Sequence, residues 1–165
     1  MKRICMLLVL VMALSTMAFA DHPNKLGIGL VGGGTFGRDS YSSGDVGLAL
    51  KLQSVPIYWG INLNMNDTGV GLGVTGDKYF YDQTLFKEGS FKLDWYLGLG
   101  GYVALGFYTD FSAALGARVP VGLSWHVVQP FEIWLGIAPS LGVSITPFQF
   151  PTWHVAGELG ARVWL

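Results

Sequence analysis

The sequence is short of charge, almost free of cysteine, and without a long apolar run beyond its first twenty residues. Of its 165 residues only 13% are Asp, Glu, Lys or Arg, against 51% hydrophobic. Mean hydropathy is +0.43. Each shortage excludes something. The formal net charge is −1 and no basic cluster occurs, so nucleic acid is not an expected partner. A chain this apolar and aromatic is not disordered. After residue 20 no apolar run reaches the roughly 18 residues of a spanning helix. The single cysteine, Cys5, leaves the rest of the chain without disulfide, thiolate nucleophile or thiolate metal site. The chain is therefore as apolar as a membrane protein but has no helix to span with. A transmembrane β-barrel resolves that conflict, because a closed ring of strands satisfies every backbone group in lipid.

Residues 1–20 have the form of a cleaved signal peptide: Lys2 and Arg3, an apolar stretch from Ile4 to Leu14, and small residues in Ala18-Phe19-Ala20. Removing them leaves eight basic against eleven acidic residues, a net charge of −3. Residues 21–165 form a single predicted domain.

What this domain has is a period of two. Ile57, Trp59, Ile61, Leu63 and Met65 fall on one face, with Tyr58, Gly60, Asn62 and Asn64 on the other. That pattern specifies a strand with one apolar and one polar face. It predicts eight strands, at about 24–32, 45–52, 57–65, 70–81, 91–104, 112–126, 131–142 and 153–165. Their lengths fit the roughly 9–11 residues of a tilted membrane strand. The expected fold is all-β: an eight-stranded, antiparallel, up-and-down transmembrane β-barrel. With the N-terminus periplasmic, the outer connections are Gly33–Gly44, Asn66–Gly69, Leu105–Phe111 and Val143–Thr152. The inner turns are Gln53–Pro56, Asp82–Ser90 and Val127–Pro130.

Charges decide which face meets lipid. Lys25, Asp45, Lys51, Asp77, Lys92, Asp94, Arg118, Glu132, Glu158 and Arg162 all fall opposite the apolar stripe, five basic and five acidic. Only Lys78 falls on the apolar face, near a strand end where it can snorkel. A soluble barrel would show the reverse. The balance of sign predicts an enclosed lumen charge network of Lys51, Asp77, Lys92, Asp94, Arg118, Glu132, Glu158 and Arg162. Trp59, Trp95, Trp125, Phe131 and Trp153 lie on the apolar face, mostly near strand ends, as in interfacial girdles. A row of inward glycines is expected to make room for Tyr58, Tyr96, Trp134 and Trp164.

The segments Leu26-Gly27-Ile28-Gly29, Ala117-Arg118-Val119-Pro120-Val121-Gly122-Leu123-Ser124, Ile137-Ala138-Pro139 and Gly160-Ala161-Arg162 carry a resemblance. Together they resemble the small OmpA/OmpX/OmpW-like outer-membrane barrels, and more specifically a spirochaetal outer-membrane protein family of unknown function. The resemblance implies a fold and a compartment, the outer membrane of a diderm bacterium, but no catalytic residue. The last strand ends in alternating apolar residues with Trp164 penultimate, a form that barrel assembly machinery reads; Leu165 replaces the usual terminal Phe.

Two inward pairs have the composition of a base with a partner: Ser124 with His126, and His154 with Glu158. The preferred account is polar lumen groups satisfying one another. No catalytic, metal or cofactor site is expected. Gly32-Gly33-Gly34 lacks the following Lys and Ser or Thr of a phosphate loop. The expected function is therefore a non-enzymatic outer-membrane barrel with a filled polar lumen, in a structural or surface-interaction role. Its partners would be outer-membrane lipid, the assembly machinery, and an extracellular or host ligand at the outer loops. The alternatives are a narrow conduit for small or hydrophobic molecules, or a lipid A-modifying enzyme.

Overall fold

A computed structural model describes residues 24–37, 44–67 and 69–165. The expected signal peptide and residues 38–43 of the first outer connection lie outside the described residues.

Alternation in the sequence becomes alternation in burial. Nine strands form: β1 (Gly27–Gly37), β2 (Asp45–Lys51), β3 (Tyr58–Asn66), β4 (Gly69–Glu88), β5 (Phe91–Phe107), β6 (Phe111–Arg118), β7 (Val121–Val128), β8 (Phe131–Thr146) and β9 (Gln149–Trp164). All pairings are antiparallel between neighbours, and β1 pairs with β9, so the sheet closes into a ring. Closure leaves no open edge, the condition a sheet must meet in lipid.

The predicted sixth strand is split into β6 and β7. The cause is Pro120, which has no N–H to give to a ladder. Both halves still lie between β5 and β8. Across the gap Gly98 N donates to Pro120 O at 2.8 Å and Val119 N to Pro139 O at 2.9 Å. The ring thus has eight staves, one of them broken.

A second difference lies at the turn expected over Asp82–Ser90. There β4 continues to Glu88, and the connection is only Gly89-Ser90. Gly89 has φ +59°, where a side chain would be strained. Bulges between Tyr79 and Tyr81 and between Thr84 and Phe86 keep this long strand in register with β5. The outer connections after β3, β5 and β8 are likewise shorter than expected, because those strands or their partners run further. The end carrying the inner turns is called the inner end, after the orientation expected from the sequence.

The wall is inverted relative to a soluble protein. Leu30 is 67% exposed and Asp94 is 0% exposed. Ile28, Leu48, Ile61, Leu63, Leu99, Leu135 and Leu159 also point outward, while Lys51, Asp77, Arg118, Glu132 and Arg162 are buried. Lys25 departs from its expected inward face: it precedes β1 and is exposed.

Inward glycines do make room for rings. A Cβ on Gly160 would lie 2.1 Å from the Trp134 ring, and one on Gly136 would lie 2.3 Å from the Tyr96 hydroxyl. Gly116 and Gly142 stand in the same relation to Tyr102. At outward-facing Gly32 the nearest atom is 3.7 Å away, an ordinary contact. Gly160→Ala should therefore destabilise the barrel by about 1–3 kcal/mol through overpacking. Gly32→Ala should change little. Urea unfolding in detergent, followed by tryptophan fluorescence, measures both.

Candidate functional site: the barrel lumen

All eight residues of the expected charge network face the lumen, but they form separate groups rather than one network. The inner end holds two of them.

In the first, Arg162 is enclosed by aromatic rings. Its guanidinium carbon lies 4.5 Å from the centre of the Trp134 ring, 5.0 Å from Tyr58 and 5.1 Å from Trp164. Its Nη1 is 3.6 Å from Glu132 Oε2, which also accepts a 2.6 Å hydrogen bond from Trp164 Nε1. A planar, weakly hydrated guanidinium suits such a box better than an ammonium would. Tyr58, Tyr79 and Tyr96 continue the packing as stacked rings with centres 4.1 and 4.5 Å apart. Their side chains come from three consecutive strands, β3, β4 and β5. A void of about 30 Å³ remains beside them, room for roughly one water. The lower lumen is thus filled.

The second group centres on Asp94. Its Oδ2 lies 3.0 Å from Lys92 Nζ and 3.3 Å from His126 Nδ1, and its Oδ1 accepts a 2.7 Å hydrogen bond from Thr84. Ser124 is paired with Asp94 across β7 and β5 and is fully buried. The sequence-level pair Ser124 and His126 thus meets an aspartate. A serine without exposed surface is poorly placed to attack a lipid, and Asp94 is satisfied from three sides. Lys51 borders the first group through the Tyr58 ring it shares with Arg162: its Nζ lies 5.7 Å from that ring and donates to Leu52 O at 2.9 Å.

The third group is at mid-height. Arg118 Nε is 3.2 Å from Asp77 Oδ1, and its Nη2 is 2.5 Å from Glu158 Oε1. Arg118 is 3% exposed. It joins β4, β6 and β9 across the lumen, which sequence spacing alone does not reveal.

Above Arg118 the lumen opens. A cavity of about 100 Å³ is lined by Asp45, Asn62, Asn64, Tyr102, Tyr108, Arg118, His154 and Glu158, among others. His154 faces it from β9 and packs edge-on against Tyr102, with ring centres 4.8 Å apart. Tyr108 donates to Asn64 Oδ1 at 3.4 Å, and Asn64 Nδ2 donates to Gly44 O. The expected filled lumen therefore describes the inner half; the outer half is a polar vestibule. Among the described residues, no group of three or more His, Cys, Asp or Glu is arranged to hold a metal ion.

Sequence reasoning missed Asp82, which is 1% exposed. The bulge at Phe80 shifts the alternation by one residue, so inward positions change from odd (Asp77, Tyr79) to even (Asp82, Thr84). The signal was present as an acid within an otherwise strand-like stretch, but a strict period of two places it in a turn.

No protein-family model matches the chain, and no curated protein does. Two solved structures are similar to it. One is Neisserial surface protein A, with a TM-score of 0.49 and 12% identity, covering 85% of this chain and 97% of that one. The other is the N-terminal β-barrel domain of Pseudomonas aeruginosa OprF, with a TM-score of 0.47 and 10% identity, covering 82% and 96%.

Arg118 has two carboxylates and little water, so its loss should strand both. Arg118→Ala should cost about 3–5 kcal/mol, the scale for removing one partner of a buried pair. Lys78→Ala, on the exposed outward face, should cost well under 1 kcal/mol. Comparing urea midpoints of the two folded variants in one detergent tests the assignment.

Proposed function

We infer that the chain is an integral outer-membrane β-barrel of a diderm bacterium, non-enzymatic, with a structural or surface-interaction role. One observation carries this: a continuous apolar outer wall around a lumen that holds the buried charges. Water on the outer wall would leave a band of Leu, Ile, Val and Phe exposed, far beyond the few hundred Å² a soluble monomer tolerates. Lipid removes that cost. Outward Trp59, Trp95, Trp125 and Trp153 supply rings of the kind that anchor at headgroup level. Outer-membrane lipid and the barrel assembly machinery are the partners this placement requires. The finer kinship, to spirochaetal outer-membrane proteins, rests on the four sequence segments that suggested it.

The short connections after β3, β5 and β8 restrict surface contacts to the rim and the first outer connection. A conduit is disfavoured by the filled inner half. A lipid-modifying enzyme is disfavoured by the burial of Ser124.

The chain should migrate in a heat-modifiable way in detergent gels and float with liposomes after refolding. A water-soluble monomer would contradict the proposal. In planar bilayers it should show no reproducible conductance. Replacing Arg162 and Trp134 together by alanine should introduce conductance if the barrel still folds, because those two side chains occupy the inner lumen. Steady conductance of the unmodified chain would favour the conduit instead.

A further inference from the structure

We propose that Lys78 and the aromatic rings beside it bind the phosphate of an anionic phospholipid at the inner end of the wall. This deepens the membrane placement and rests on it, because it names the headgroup and the residues that receive it.

A cation on the lipid-facing side is the first observation. Among the described residues of the ring, Lys78 is the one charged side chain on the outward face, and it is exposed. Lysine on such a wall is costly at the bilayer centre and well tolerated only where its ammonium reaches the headgroups. Its Nζ lies 5.9 Å from the centre of the Phe80 ring. Phe80 is two residues closer to the inner end, so the ammonium is drawn that way.

Register supplies the second observation, the height of this lysine. Trp59 of β3 pairs with Gly76, and Trp95 of β5 pairs with Gln83. Lys78 lies between those two levels on β4, within the inner band of outward rings. Such rings mark the headgroup region. They are also close to it. Trp59 lies across Gly76, where a Cβ would come 3.1 Å from the indole, so this ring borders Lys78 two positions on. On the other side Tyr81 and Trp95 stack with centres 6.2 Å apart.

The third observation is space. β3 begins at Tyr58, which pairs with Asp77, whereas β4 continues to Glu88. From Lys78 onward no strand stands on that side of β4 among the described residues. The wall steps back beside the ammonium, and a headgroup can approach it from the side as well as from below. A phosphate suits a compact point charge such as lysine. The flanking rings offer apolar surface to the glycerol and the upper acyl chain. An anionic headgroup is favoured over a zwitterionic one, whose own cation competes with Lys78 for the phosphate.

The test uses the full barrel folded in maltoside micelles, which carry no phosphate, and dihexanoyl phosphatidylglycerol as the probe. The indole N–H signals of Trp59 and Trp95 are followed by NMR at constant ionic strength. Saturable shifts are expected at both, with Trp153 at the outer end unmoved. Replacing the probe by dihexanoyl phosphatidylcholine, or Lys78 by glutamine (Lys78→Gln), should each weaken binding about fivefold, the scale for one lysine at an anionic surface. Lys78→Arg should keep it. If Lys78→Gln fails to fold, Lys78→Ala takes its place. Equal saturation by the two lipids, or binding indifferent to the loss of Lys78, would overturn the proposal. Equal saturation by glycerol 1-phosphate would also overturn it, since the site would then take any small anion. Membrane insertion is measured separately by flotation: a barrel that floats without this preference contradicts the site alone, and one that does not float contradicts the placement.

Discussion

Everything in this fold depends on enclosing charge. A closed ring of strands gives each side chain only two directions, inward or outward. If the outer wall meets lipid, as proposed, only apolar groups are tolerated along it, and the charged residues of the wall go inward, with Lys78 as the outward exception. Once inside they must find partners, because an unpaired ion in a narrow lumen is worth several kcal/mol against folding. Arg118 therefore bridges Asp77 and Glu158, Lys92 and His126 converge on Asp94, and Arg162 meets Glu132 within a box of rings. The low charge content of the chain follows from the same limit, since a lumen of this width holds few pairs.

Much of this was legible because a period of two is a local property. The outward row Ile57, Trp59, Ile61, Leu63 and Met65 in and beside β3 needs no knowledge of its neighbours. Nor does the inward placement of the eight network residues. Partner identity was not legible, because Arg118, Asp77 and Glu158 come from strands that only closure brings together. Asp82 was hidden by a bulge that changes parity within β4, and the split of the sixth strand by the missing N–H of Pro120. The network was expected to be single; strand spacing divides it into groups at different heights.

The division into a filled inner half and an open outer half also arises from residue size. Inside β3, Tyr58 at the inner end gives way to Asn62 and Asn64 toward the outer end. Inside β9, Trp164 and Arg162 give way to Glu158 and His154. Large rings lie low and short polar groups lie high. The glycines facing the rings let the lower layer close, and the same small residues higher up leave space. The barrel is thereby plugged toward one side and open toward the other.

The central claim is that the outer wall meets lipid while the lumen does not. The chain's single cysteine, Cys5, precedes the barrel, so spin labels can be placed one at a time on cysteines substituted for Ile61, Asn62 and Leu63 in reconstituted protein. Collision with oxygen, which partitions into lipid, should be high at 61 and 63 and low at 62, a period of two along the strand. High accessibility of 61 and 63 to a water-soluble nickel reagent, with the oxygen pattern lost or reversed, would contradict the account.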